Sequence, residues 1–409
     1  MSGTGVIRRI LLVNTCSHGN TGDAARQLSA IQSLLSLIPD AELTIVTQDH
    51  TNLPQGNGRV KIIRDALPSA SSPFHLDVLR VPALVRAYFG ADMVVSIGGV
   101  IGHVSSLFPL SLGIMLGKRT VVYSASTSGP FRSRLQTFLA KRILGRTTFI
   151  TLREEISRRH LEKLKLTKPQ IHITADISFL LGVADRQKVD EILAENGITE
   201  KDGPLVGVNI SRCPNSNRET HERYLKAMSK LVNYLIVGIG ATVVLLPFCF
   251  MKGYDDRLEI AQVRRLIGDK AKMKIIAGKL EPEELKGVLG RMELFVGTRG
   301  HSNIFALSMR VPTLAISYHH KMNGIMEAME MSEWVCSQER MSSSVLIAKV
   351  SKMWALREDI RDKLNRKMPA IEEKALLNSK LIGQLLYPLA DKEKQMGVCS
   401  ENSFYKHAN

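Results

Sequence analysis

The stretch GTRGHSNIFALSMRVPTLAISY, Gly297–Tyr318, carries the reading of the fold. The buried strand LFVGT (294–298) runs into it, and the helical run SNIFALSMR follows. A valine-proline step then ends the helix, and PTLAISY reads as a second strand. Arg299 and His301 stand between the first strand and the helix. A helix N-terminus offers free N–H groups and a positive dipole end. An arginine fork adds anion-binding donors, and an imidazole can move a proton near neutral pH. The plainer alternative is a helix-terminal histidine satisfied by local hydrogen bonds. Lys321, with His319 and His320, forms a second basic cluster behind the strand PTLAISY.

Outward from this unit the strand-helix alternation repeats. Strands are expected at RRILLVN, AELTIVTQ, ADMVVSIGG, TVVYSAS, TFITLR and QIHITAD in the first half. PLVGVNIS, TVVLLPF, KMKIIAG, LFVGT and PTLAISY are expected in the second. Short, fully apolar strands separated by helices indicate parallel sheets covered on both faces. Residues 52–73 and the polar segment 185–203 read as loop or linker. The expected class is therefore α/β, with two Rossmann-like domains whose parallel sheets face a cleft. The division is 1–190, 191–345, C-terminal helices over 346–390 and a polar tail over 391–409.

Bulk composition narrows the function. The chain has 409 residues, 44% hydrophobic and 23% charged, enough for two sizeable cores. Lys plus Arg exceed Asp plus Glu by 55 to 39, a net charge of +16. Such a surface favours anionic small molecules or anionic membrane faces. Aromatics are only 5%, without the ring-and-arginine alternation of a single-strand platform, which argues against nucleic acid. Five dispersed cysteines without a CxxC pair fit a reducing cytoplasm and supply neither a disulfide framework nor a metal site. The N-terminus does not read as a signal peptide. Residues 93–117 and 231–251 lack charge and are long enough to span a bilayer, but their glycine turns and strands read as globular core.

Further candidates lie just after strands. In HGNTGD, Asn20 and Asp23 precede a helix, and Asp23 is either its cap or a base. Gly98 and Gly99 allow close backbone approach to a ligand, or simply a sharp turn. Ser211 and Arg212 end PLVGVNISR, where Arg212 is either a bidentate anion ligand or a solvated surface charge. Glu154-Glu155 and Glu283-Glu284 read as solvated faces. There is no G-x-S-x-G elbow, HExxH pair or kinase signature.

In order, Asn20-x-Gly22-Asp23, Gly98-Gly99, Gly129-Pro130, Arg153 with Ser157, Asp176, and Arg299, His301, Pro312 and Lys321 resemble the polysaccharide pyruvyl transferase family. The resemblance spans residues 8–335 and implies a GT-B-like architecture. It implies transfer of pyruvate from phosphoenolpyruvate to hydroxyls of a cell-surface glycan or lipid-linked oligosaccharide, giving a ketal. No metal or organic cofactor is implied. Arg299 and Arg212 become donor-binding residues and His301 the general acid. Asp23 is the candidate base, while Lys321, Asn20, Ser211, Gly98 and Gly99 complete the substrate site. Gly300 departs from the family, where a bulkier residue is usual. The expected location is cytoplasmic, with peripheral attachment to the inner membrane face. A GT-B nucleotide-sugar glycosyltransferase and a non-catalytic glycan-binding relative are the alternatives.

Overall fold

The computed structural model describes residues 9–15, 19–47, 58–65, 80–131, 133–213, 216–268, 272–339 and 341–387. The polar tail 391–409 and most of the expected loop 52–73 lie outside the described residues.

The first half runs β1 (Arg9–Val13), α1 (Thr21–Leu37), β2 (Glu42–Thr47), β3 (Val60–Arg64), α2 (Val81–Gly90), β4 (Met93–Ser96), β5 (Val100–Ile101) and α3 (Val104–Met115). It continues through β6 (Arg119–Thr127), α4 (Arg134–Leu144), β7 (Phe149–Leu152), α5 (Glu155–Glu162) and β8 (Gln170–Ile173). The second half holds α6 (Arg186–Glu195), β9 (Leu205–Asn209), α7 (Arg218–Tyr234), β10 (Thr242–Leu245), α8 (Asp256–Ile267), β11 (Met273–Ile275) and α9 (Pro282–Leu289). Then come β12 (Leu294–Gly297), α10 (Gly300–Ser308), β13 (Thr313–Ser317), α11 (His320–Ala328), β14 (Val335–Ser337), α12 (Ser343–Ala355) and α13 (Arg357–Leu386).

Both sheets are parallel, in the orders β3-β2-β1-β4-β6-β7-β8 and β11-β10-β9-β12-β13-β14. The central strands are buried on both faces because helices cover both. Strand order reverses between β1 and β4, where Leu12 pairs with Val95, and between β9 and β12, where Gly297 pairs with Asn209. Crevices open beyond the carboxyl ends of strands at such reversals. The opening stretch of sequence is therefore the β12–α10–β13 unit beside the second reversal.

Four elements differ from the sequence expectation, one of them the two-residue β5 directly after the Gly98-Gly99 turn. β3 falls inside the expected loop 52–73; as the edge strand of its sheet it is only partly buried, so apolar alternation is weak. α6 lies in the expected polar linker, yet Val189, Ile192 and Leu193 recur at helical spacing and pack against Leu285 and Val288 of α9. β14 has only three residues, too few to show a period.

The halves meet at several places, among them α5 against α11, where the His160 and His320 rings lie 5.0 Å apart, and two further junctions. At one, Thr21 N donates to Phe248 O (3.1 Å) and Phe250 N to Gly19 O (2.8 Å), while Ala25 and Leu28 of α1 pack with Phe248 and Phe305. At the other, α13 crosses over. Leu364, Met368 and Ile371 sit in the second core, whereas Ile382 and Leu386 complete the first. Buried polar contacts fix the crossing: Asn378 Nδ2 donates to Ala175 O (3.0 Å), and Ser379 meets Ser33 (2.8 Å) and Tyr123. Among the described residues, no helix is long and apolar enough to cross a membrane.

Candidate active site

A cavity of about 750 Å³ lies between the two sheets, at the carboxyl ends of their strands. Four helices present their first turns to it: α1 through Gly22 and Asp23, α3 through Val104–Ser106, α10 through Gly300 and His301, and α11 through Lys321. Converging helix N-termini bias the space towards an anion before any side chain is counted. Arg26 and Arg153 from the first half and Arg299 and Lys321 from the second line the same cavity.

The cations differ in how firmly each is committed. Arg153 is buried and pairs with Asp176, while its Nε donates to Ser126 Oγ (2.7 Å) and its Nη2 to Gly99 O (3.0 Å). Arg26 bridges Ile97 O (2.8 Å) and Asp23 (2.9 Å). Arg299 turns back into its own domain, onto the buried carboxylate of Asp256 (2.8 Å) and Tyr254 O (2.8 Å). Burial opposes the Arg299 charge, and Asp256 more than restores it. Asn209 locks this corner, accepting from Arg299 N (2.9 Å) and donating to Asp256 (3.2 Å). The Lys321 ammonium has no hydrogen-bond or ion-pair partner among the described residues. Burial, then Arg153 and Arg26, press its pKa down to about 7.

His301 occupies the second position of α10, and its ring packs on the bare Cα of Gly22 across the domain boundary. A methyl group on Gly22 would lie 2.3 Å from Nδ1. The Nε2 is buried without a hydrogen-bond partner, 3.9 Å from Asp176 Oδ2. Desolvation pushes the imidazole down to about 4 against the pull of Asp176, so the ring is neutral at pH 7. Burial raises the Asp176 carboxyl, but Arg153 and His301 outweigh it and hold the group well below the usual carboxylate range.

Asn20, rather than Asp23, caps α1, accepting from Gly22 N (3.1 Å) and Asp23 N (3.3 Å). Asp23 sits one turn in, held by Asn20 (2.9 Å) and Arg26 (2.9 Å), and keeps about a fifth of its side chain exposed to the cavity. Gly98 and Gly99 line the cavity, but the space a side chain would take is filled by protein: Asn14 Cβ at 2.7 Å and Arg26 Nη1 at 2.1 Å. These glycines let Asn14 and Arg26 approach the strand end. Gly300 is different, because a Cβ there meets nothing within 4 Å.

Two expected ligands are not brought in. Arg212 is exposed, acts electrostatically on Glu259 of α8, and is absent from the cavity lining. Ser211 is fully buried, with its N–H bonded to Tyr224 (3.2 Å), and also lies outside the lining. The reason is shared. β9 ends with Asn209 bonded to Arg299 N, and the next residues, Ile210 and Ser211, are buried rather than turned to the cavity. Glu154 departs too: it is buried and caps α5, accepting from Ser157 N (2.8 Å). Sequence reasoning left Arg26 and Asn14 out of the site, and used Arg153 and Asp176 only as motif positions. Arg26 had a local signal, three residues after Asp23 on one helix face. Asn14 adopts φ 54°, in the left-handed region that asparagine tolerates, directly after β1.

Fold and site together define a GT-B-like protein: two parallel-sheet domains with an anion-biased cleft between them. HepE of Anabaena in complex with UDP superposes with TM-score 0.62 over 93% of this chain and 99% of that one, at 12% identity. MnaA of S. aureus with UDP gives 0.61 over 97% and 99%, at 10% identity. Sucrose-phosphate synthase of Thermosynechococcus elongatus gives 0.61 over 92% and 99%, at 12% identity. At these identities the likeness is one of fold.

The chain belongs to the polysaccharide pyruvyl transferase family, whose sequence profile matches residues 20–320, and is accordingly a transferase. The amylovoran biosynthesis protein AmsJ of Erwinia amylovora is 26% identical over 92% of this chain and 99% of its own length.

Proposed function

We propose that the protein transfers the pyruvate unit of phosphoenolpyruvate to hydroxyls of an exopolysaccharide precursor, closing a ketal. Membership of the family and the likeness to a protein named for amylovoran biosynthesis support the class of reaction and acceptor. One observation carries the donor assignment. Lys321, whose ammonium has no partner among the described residues, and His301, whose Nε2 is buried and likewise unpaired, line one cavity with Arg153 and four helix N-termini. That arrangement suits a small polyanion carrying both phosphate and carboxylate.

The chemistry needs a proton delivered to the donor methylene carbon, which leaves C2 cationic and open to a hydroxyl oxygen. His301 is the general acid. Its low proton affinity is the work of burial and nearby arginines, and a donor anion seated against Arg153 and Lys321 would raise it. Asp23 accepts the hydroxyl proton: its carboxylate lines the cavity in the first turn of α1, next to the Gly22–His301 contact, and stays about a fifth exposed. A second hydroxyl then displaces phosphate and closes the ring. Arg299 acts by holding the α10 corner on Asp256 and by adding positive potential.

The test is phosphate release from phosphoenolpyruvate with candidate oligosaccharides, together with thermal-shift titrations of phosphoenolpyruvate and UDP-sugars. The expected result is stabilisation by phosphoenolpyruvate and release that disappears in His301→Ala. Stabilisation by a UDP-sugar alone would replace this reading with glycosyl transfer. Donor binding without phosphate release for any acceptor would favour a non-catalytic relative.

A further inference from the structure

We propose that the outer face of α2, α3 and α4 docks on an anionic phospholipid bilayer, placing the mouth of the cavity at the membrane surface. Among the described residues, half of the large apolar side chains that stand exposed lie on these three helices. Val85 and Phe89 are one helical turn apart on α2. Val104, Phe108 and Met115 recur at i, i+4 and i+11 on α3, one stripe of that helix. Leu135 and Phe138 do the same at i and i+3 on α4. Phe89 is 64% exposed, Met115 80% and Phe138 63%.

The helices form one surface. Tyr88 Oη of α2 donates to Pro109 O of α3 (2.9 Å), Lys118 Nζ donates to Phe89 O (2.9 Å), and α3 packs along α4. A contiguous apolar face on a folded domain marks an interaction surface, whereas single exposed side chains do not.

Charge selects the occupant. No aspartate or glutamate occurs between Asp92 and Glu154, while eight lysines and arginines do. Arg86, Arg134, Lys141 and Arg142 stand exposed on the same helices as the apolar stripes. Apolar stripes with basic neighbours and no acids match the boundary between acyl chains and anionic headgroups. A second copy of the face would set cation against cation.

The surface also reaches the site, because Val104 and Phe108 belong both to the α3 stripe and to the cavity lining. Resting on the proposed function, a lipid-linked acceptor would keep its lipid in the bilayer while its sugar enters at the start of α3.

Vesicle flotation of the full chain tests the surface without any turnover. The protein should float with phosphatidylcholine vesicles containing phosphatidylglycerol, less so at high salt, and not with phosphatidylcholine alone. Phe89→Asp/Phe138→Asp, at exposed positions away from the cavity, should weaken binding at least about tenfold. It should keep the thermal melt and phosphate release with a water-soluble acceptor. Wild-type protein that ignores the anionic vesicles, or variant binding equal to wild type, overturns the proposal. So does a wild-type dimer that the same variant dissolves, since a second copy then covers the face. Flotation with no transfer to any acceptor would remove the functional reading and leave the docking surface standing.

Discussion

Lys321 lines the cavity with no partner for its ammonium among the described residues, and burial with the nearby Arg153 and Arg26 loosens its proton to about 7. A phosphate or carboxylate placed beside it restores the charge. Phosphoenolpyruvate binding at pH 8 should therefore take up a fraction of a proton, seen in calorimetry as a heat that varies with the buffer's ionisation enthalpy. A heat independent of buffer would contradict this arrangement. Lys321→Ala should lower kcat/KM by about 10²–10³-fold, the scale of one lost electrostatic contact to developing charge. Arg212→Ala, at an exposed position outside the cavity, should change it less than about twofold. Gly22→Ala inverts the usual rule that alanine favours a helix, because its methyl would strike the His301 ring across the domain boundary. Its expected signature is a large fall in kcat with the fold intact. Arg299→Ala is a poor probe of donor binding: it strands the buried Asp256 carboxylate, at a stability loss of about 3–5 kcal/mol by denaturant titration.

Helix termini and one long helix do the work at the next scale. Parallel strands deliver the N-terminal turns of α1, α3, α10 and α11 to one cavity, so anion preference is a property of connectivity before it is one of side chains. α13 is one of the elements that join the two sheets, through its contacts in both cores. Asn378→Ala should lower the unfolding free energy by about 1–2 kcal/mol, since it removes the bonds to Thr174 Oγ1 and Ala175 O and leaves these buried groups only their longer contacts to Leu152 O and Ser124 Oγ (3.3 Å each). A value near zero would mean that Asn378 does not hold the crossing, leaving it to Ser379 and the apolar packing. At this scale strong periodicity was readable and weak periodicity was not. β9, β10 and β12 announce themselves as apolar runs, while β3 at an edge and the three-residue β14 carry too little pattern to separate from loop.

For the whole molecule, the cleft makes the protein sensitive to acid. His301, His319 and His320 are all pushed by burial to about 4, below the ordinary 6.5. Lys321, Arg153 and His160 add to the shift at the two neighbouring rings. Between those values the unfolded chain binds protons that the folded chain does not, so stability falls as pH drops from about 6.5 towards 4. His301 alone accounts for at most about 3 kcal/mol. Asp176 acts in the same direction at lower pH, because its depressed pKa supplies stability that is lost only as the carboxylate is protonated. Urea midpoints across this range should slide downwards, and His301→Gln should flatten the slope. Most of the strand-helix alternation, the two-sheet class and the basic residues at the strand ends could be read from the chain, because they follow from local periodicity and the sign of charge. Which charges meet in the cleft could not. Arg299 and Arg212 look alike as arginines after strands, yet one is clamped on Asp256 beside the cavity and the other stands outside it. Gly22 and His301, nearly three hundred residues apart in the chain, define the centre of the site by touching. Such pairings depend on how two separately patterned domains close on one another, and no short-range pattern records that.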